Sequence, residues 1–399
     1  VLLVKSLYGH PESGAHWERH LEKAVKLCGG KPIPGHPSGF WFLKQRCMMS
    51  VYVDDLLLSG PAEHHDEIWQ MLRDPKVGDI RLDDPTPLER FLGRHHDVVS
   101  LPSGETALSW NMEDFVGQTV QVYKDLTGVS KLKQASTPFL PDGAVTPLDD
   151  EERGELEGQA SKILMKALWL ARLARPDILK PICNLASCVQ KWTRGCDRRL
   201  FRLICYLDSS RPYRLLSTVQ DKTEDLYLQL FVDADFAGER ELGDARSTSG
   251  GWLCLAGPNT HVPLCWVAKK QTSTSRSTTE AEIISLAYSL FSEAIPTWDL
   301  WCLILDKIVP VRIMEDNQAT IKVAEAGFSQ KLRHVTRVHG VDISSIKEVL
   351  MMEGMSIEYC PTDEQAADIF TKALAPHKWP NALELLGMTT IPPNVIRAG

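Results

Sequence analysis

The sequence contains no C-x-x-C pair, no low-complexity tract and no apolar run of bilayer-spanning length. Its 10 cysteines are scattered. The closest two, Cys183 and Cys188, fit neither a zinc clip nor a redox motif, so reduced thiols are expected. Excess positive charge is absent too, with a formal net charge of -8. That excludes a surface coated in basic groups, but local basic patches still decide contacts to nucleic acid. The opening "VLLVKSLYGH" has neither a basic start nor a cleavage-like site, so a secretory leader is not expected. The missing initiator Met reads as the mark of a fragment. What is present is ordinary globular material: 399 residues, 43% hydrophobic and 24% charged, enough for two or three cores.

Residues 1 to about 100 mix helix and strand. "HWERHLEKAVKLCGG" has helical spacing and stops at Gly29-Gly30. "GFWFLKQRCMMSVYVDDLLLSG" reads as strand and hairpin, and "AEHHDEIWQMLRD" as an amphipathic helix. "KQASTPFLPDGAVTPLDDEERGE" carries three prolines and a burst of acids and reads as a surface linker. "ASKILMKALWLARLARPDI" and "RRLFRLICYL" are helical, either as a bundle or as basic helices facing nucleic acid. From about 225 the rhythm changes. Leu226, Leu228, Leu230 and Val232 alternate with Tyr227, Phe231 and Asp233, which predicts a strand. The order that follows is three hairpin-linked strands, then helix, strand, helix, strand, helix. That predicts an α+β or α/β multidomain chain ending in a mixed sheet with flanking helices.

Two acidic features stand out. In "SVYVDDLLLSG", Asp54 and Asp55 interrupt an apolar run at a predicted hairpin tip. Adjacent carboxylates repel unless a cation neutralises them, so a plain tip and a Mg²⁺ site both remain open. In the last region, Asp233 sits late in a strand, Glu280 and Glu282 open a helix, Asp316 closes a strand and Asp368 lies in the terminal helix. Each has a structural alternative: strand end, first-turn acid, N-cap, solvated helical residue. Together they fall where sites form in open α/β sheets, and such a set would bind two Mg²⁺ for phosphodiester hydrolysis.

"FVDADFAG", "ARSTSGGWLCLAG", "STTEAE", "EDNQAT" and "EYCPTDEQAADIFTKAL", in this order, resemble the ribonuclease H domain of copia-type long-terminal-repeat retrotransposon polyproteins. "KSLYG" at 5 to 9, "YVDD" at 52 to 55, "STP" at 136 to 138 and "RPDI" at 175 to 178 resemble that family's reverse transcriptase.

The resemblance implies a partial reverse-transcriptase palm over 1–100 and a thumb- or connection-like region over 101–224. A ribonuclease H-like five-stranded sheet over 225–375 and a C-terminal tail over 376–399 complete the layout. It implies that Tyr52, Asp54 and Asp55 belong to a polymerase hairpin whose two carboxylates would hold Mg²⁺ against the incoming nucleotide's phosphates. Asp233, Glu282, Asp316 and Asp368 would hold two Mg²⁺, with Mn²⁺ as a substitute. Glu280 and Glu282 stand about 200° apart on a helix, so only one can face the site, and "EIISL" favours Glu282. The implied partners are RNA–DNA hybrid, RNA template and DNA, with upstream Pol segments and no membrane. The implied location is a cytoplasmic virus-like particle or the nucleus. Tyr52, Lys269, Lys270, Arg276 and His339 are the candidate nucleic-acid contacts. The chain departs from the family at "HPESG" after the first motif and at "HGVDI", and it lacks the upstream palm acid and the fingers. RNA-directed DNA polymerisation by this chain alone is therefore not expected. The alternative is a decayed, non-catalytic relic that still binds nucleic acid.

Overall fold

A computed structural model describes residues 9–101, 104–236, 245–390 and 394–395. The first four residues of "KSLYG" and the last two of "FVDADFAG" lie outside the described residues. The chain divides into two compact units, Val1–Leu88 and Glu89–Gly399. Among the described residues, no helix is long and apolar enough to cross a membrane.

In the first unit, helix α1 (Ser13–Leu27) precedes strands β1 (Lys31–Ile33), β2 (His36–Phe42), β3 (Cys47–Tyr52) and β4 (Asp55–Ser59), and α2 (His65–Arg73) follows. The strands form one antiparallel sheet in sequential order. Leu21 and Val25 of α1, Phe40, Phe42 and Met49 of the sheet, and Ile68 and Leu72 of α2 make the core. Gly30 is required where α1 turns into the sheet, because a Cβ there would stand 2.5 Å from Val25 Cγ1. At the predicted hairpin, Tyr52 pairs with Asp55 and leaves Val53 and Asp54 at the tip. Val53 takes φ 58, a left-handed conformation that β-branched residues rarely adopt.

The second unit opens with β5 (Arg90–Phe91), β6 (Arg94–Ser100), β7 (Thr106–Asn111) and α3 (Glu113–Thr127). Helices α4 (Pro147–Glu151), α5 (Ala160–Leu173), α6 (Leu179–Ser187) and α7 (Arg194–Ser209) follow, then β8 (Arg214–Ser217). Next come β9 (Tyr227–Asp235), β10 (Thr248–Gly257), β11 (Thr260–Lys270), α8 (Thr278–Ser289), α9 (Ile295–Leu305), β12 (Val311–Glu315) and α10 (Gln318–Ala326). The chain continues through α11 (Val335–His339), α12 (Ile343–Leu350), β13 (Met355–Tyr359), α13 (Trp379–Leu385), β14 (Met388–Thr389) and β15 (Asn394–Val395).

One sheet runs β14-β8-β7-β6-β15, with β5 beside β6; the other is five-stranded and runs β11-β10-β9-β12-β13. In the second sheet the β9, β10 and β11 pairings are antiparallel, while β12 lies parallel to both β9 and β13. The alternation along β9 works as expected: Leu226, Leu228, Leu230 and Val232 pack with Ile283, Leu286 and Ile313 on one face. The other face, with Trp252, Cys254 and Phe370, shares a core with Leu170, Ile182 and Leu203 from α5, α6 and α7.

Three expectations need correction. The proline-rich stretch is no free surface linker, since Ala135 and Thr137 are buried. Arg202 donates to Thr137 O at 2.8 Å, and the Ser209 hydroxyl accepts the Ala135 N–H at 3.1 Å. The segment around Asp368 is not an α-helix but two short 3₁₀ turns, Thr362–Glu364 and Asp368–Phe370. Gln365 breaks it: its amide donates to Val232 O at 3.0 Å while its carbonyl accepts the Ala367 N–H at 3.2 Å. Nor do residues 376–399 begin as a loose tail, because Trp379 is buried and donates to Tyr206 Oη at 3.1 Å.

Candidate metal centre

Asp233 lies near the end of β9, the central strand, and is 1% exposed. Its backbone C=O accepts the Ser285 hydroxyl at 2.7 Å, which fixes α8 over the strand end. Glu282 precedes Ser285 by three residues, so both share the face of α8 turned to β9. Asp316 follows the last residue of β12, the strand next to β9. Asp368 arrives on its 3₁₀ turn, which rests on β10. Gly250, paired with Asp233, makes room for that turn, because a Cβ there would stand 2.4 Å from Thr371 Cγ2.

The side chains form two groups joined at Asp316. Single oxygens of Asp233, Asp316 and Asp368 lie within 4.8 Å of one another. So do single oxygens of Glu282, Glu315 and Asp316. Lys372 bridges the first group, its Nζ 2.9 Å from Asp233 and 2.6 Å from Asp368, while the Thr371 hydroxyl donates to Asp233. Thr362 donates to Asp316 at 3.3 Å.

Burial and mutual repulsion raise the acids. Burial pushes the Glu282 carboxyl well above its ordinary value, and Asp233, Glu315 and Asp316 add to it. Burial, with Asp316 and Asp233 nearby, pushes Glu315 up to about 8. Asp316 is raised by burial and Asp233. Asp368 is pushed up to about 6 by burial and Asp233, with Lys372 opposing. Burial alone would lower the Lys372 ammonium, but Asp233 and Asp368 outweigh it and hold it above its ordinary value. Two buried carboxylate oxygens, Glu282 Oε2 and Glu315 Oε2, accept no hydrogen bond. An oxygen-only set with orphaned, desolvated acceptors fits hard divalent cations such as Mg²⁺. A cleft of ≈ 490 Å³ opens beside Asp368, lined also by Thr362, Gln365, His377 and Lys378.

Of the paired glutamates, Glu282 joins this cluster and Glu280 does not. Glu280 accepts the Arg276 N–H at 3.0 Å, while its own N–H donates to the Ser277 N-cap at 3.2 Å. His334 and His339 each bring Nε2 to 3.2 Å from its carboxylate. His339, expected to face nucleic acid, therefore turns inward, its side chain 1% exposed. Lys269 and Arg276 are exposed, Lys269 with its Nζ 4.1 Å from the Tyr288 ring centre; Lys270 is half-buried. Tyr52, Asp54 and Asp55 are exposed at their hairpin. Among the described residues, neither carboxylate group includes Asp54 or Asp55. Sequence reasoning missed Glu315, Thr371 and Lys372. The readable signals were two adjacent acids in "EDNQ" and a lysine one helical turn after Asp368 in "DIFTK".

The fold and this geometry define a mixed α/β protein with a buried carboxylate cluster able to hold divalent cations. The chain is 25% identical to the "Retrovirus-related Pol polyprotein from transposon RE1" of Arabidopsis thaliana, across 98% of this chain and 25% of that protein. The corresponding RE2 polyprotein is 24% identical over the same shares. The "Transposon Ty1-LR2 Gag-Pol polyprotein" of Saccharomyces cerevisiae is 22% identical over 94% of this chain and 21% of its own length. The chain is thus related to retrotransposon Pol polyproteins along nearly its whole length, in keeping with the copia-type motifs. It spans about a quarter of the length of these relatives. No family model matches it. The crystal structure of prototype foamy virus protease-reverse transcriptase aligns at 14% identity and TM-score 0.23, over 96% of this chain and 62% of that one. So weak a superposition carries no argument.

Proposed function

We propose that the second unit hydrolyses the RNA strand of RNA–DNA hybrids, with residues 225–375 acting as a ribonuclease H-like domain. The observation that carries this reading is the convergence of Asp233, Glu282, Asp316 and Asp368 at one end of a mixed sheet, in a chain related to Pol polyproteins. Mg²⁺, or Mn²⁺ in its stead, held by these carboxylates would supply the Lewis acidity that activates water and stabilises the leaving oxygen. The chain's own residues pre-arrange the acids. Ser285 locks the Asp233 backbone, Gln365 pins the turn that carries Asp368, and Thr371 and Lys372 orient both carboxylates. Lys269, Lys270 and Arg276, at the strand-to-helix entry, would attract phosphates. The choice of the RNA strand would come from its 2′-hydroxyls in the wide minor groove of the hybrid.

For residues 1–100 the reading is a polymerase palm segment with Tyr52, Asp54 and Asp55 on its hairpin, and for 101–224 a thumb- or connection-like region. Both hairpin acids are exposed, and among the described residues neither belongs to the carboxylate groups. That favours a second, non-catalytic nucleic-acid-binding reading for this part alone.

The test is cleavage of an end-labelled RNA–DNA hybrid with Mg²⁺, with Mn²⁺ and with EDTA. Asp233→Asn and Asp316→Asn keep the shape and remove charge, so cleavage should fall by orders of magnitude while the circular dichroism stays unchanged. Full cleavage by Asp316→Asn would overturn the assignment.

A further inference from the structure

We propose that Glu315 is a fifth carboxylate ligand of this centre, holding a divalent cation together with Glu282 and Asp316. The inference rests on the reading of the site as cation-dependent. Successive side chains on a strand point to opposite faces, so Glu315 and Asp316 would ordinarily diverge. Here β12 ends at Glu315, and Asp316, one residue beyond, is free of that alternation. One oxygen from each of Glu282, Glu315 and Asp316 thus falls within 4.8 Å of the others. Ligand oxygens gathered around one hard cation at roughly 2.0–2.6 Å span that range.

The second observation is the condition of the Glu315 carboxylate. The residue is 0% exposed. Its Oε1 accepts the Asn317 N–H at 3.0 Å, but Oε2 is buried and accepts nothing. The facing Glu282 Oε2 is in the same condition. An acid buried for structural reasons has its oxygens satisfied, whereas two orphaned oxygens in like-charged groups call for a cation. The charges agree. Asp233, Glu282, Glu315, Asp316 and Asp368 carry five negative charges when ionised, and Lys372 offsets one. The four that remain match two divalent cations. Without Glu315 the loaded centre would hold a surplus positive charge.

Mn²⁺ titration of the full chain, followed by the loss of the free-ion electron paramagnetic signal, tests this. The unmodified protein should take up two ions. Glu315→Gln should weaken one of them at least about tenfold and leave the other unchanged. Uptake of both ions with unchanged affinity by Glu315→Gln would overturn the proposal and leave Glu315 a buried structural acid. A second variant, Glu315→Cys, guards against misfolding of the first. Added Cd²⁺ should give it a thiolate-to-cadmium absorption band beyond that of the unmodified chain, and absence of that band would likewise overturn the proposal. The parent reading fails separately, if the unmodified chain binds no Mn²⁺ at all or if Asp233→Asn binds it equally well.

Discussion

Glu315 also makes the metal-free protein sensitive to pH in a direction opposite to most carboxylates. In the folded state its carboxyl is pushed up to about 8, against an ordinary 4.5. The folded chain therefore holds this proton more tightly than the unfolded chain does. The resulting stabilisation is fully present below about pH 4.5 and is lost as pH rises towards about 8. At about 1.36 kcal/mol per pH unit, that window spans roughly 5 kcal/mol as a ceiling. Neighbouring acids adjust when one proton leaves, so about 2–4 kcal/mol is the working expectation. Glu315→Gln, which carries no titrating proton, should be more stable than the unmodified protein by about that amount at pH 8 in EDTA. At pH 5 the two should agree within about 1 kcal/mol. Urea unfolding followed by circular dichroism measures both. With Mg²⁺ present the ranking should shrink or reverse, because the unmodified chain then gains a ligand-stabilised state. A variant equally displaced at pH 5 and pH 8 would refute the assignment of a buried, repelled carboxylate.

Lys372→Met removes the cation between Asp233 and Asp368. Its side chain is over a third exposed, so solvent screening limits the loss to about 1–2 kcal/mol in EDTA. The deficit should narrow when Mg²⁺ is added, and thermal melts in the two buffers would read it. Glu280→Gln should leave hybrid cleavage within a few-fold and lower stability by about 1–3 kcal/mol, since it loosens the contacts to His334, His339 and the Arg276 N–H. Glu282→Gln should do the reverse, and a cleavage assay beside a melt separates them. Replacing Lys269, Lys270 and Arg276 together by Ala should flatten the salt dependence of hybrid binding by roughly 2–3 in log–log slope. An unchanged slope would move the contact surface elsewhere.

The β9 alternation, the Gly- and Pro-bounded hairpins and the order of strands and helices up to β13 were legible because each rests on local period and turn chemistry. That Glu280 and Glu282 cannot both face one site was legible from the angle between them on α8, whereas the choice of Glu282 rested on the resemblance of "EIISL" to the family pattern. What the sequence hid is non-local. Ala135 and Thr137 are drawn inward by Ser209 and Arg202, partners more than 60 residues away. The turn at Asp368 departs from a helix because Gln365 spends its side chain on Val232 O, across the sheet. Glu315 escaped notice because strand alternation alone would send it away from Asp316. His339 reads as a candidate nucleic-acid contact, and only the fold brings Glu280 to it.

The five-stranded sheet shares its far face with the helices that precede it, and this bears on how the chain divides. Trp252 stacks on Trp266 and Phe370 at 5.5 and 6.0 Å, and Trp266 donates to Ala171 O at 2.7 Å. A cut near residue 224, drawn where the sequence changes rhythm, would leave these indoles facing water and prone to self-association. Excised at that seam, residues 225–375 would forfeit the floor beneath Phe370, two residues from Asp368. The portion that carries the carboxylate cluster and the helices before it share one core, and the two should melt in a single transition.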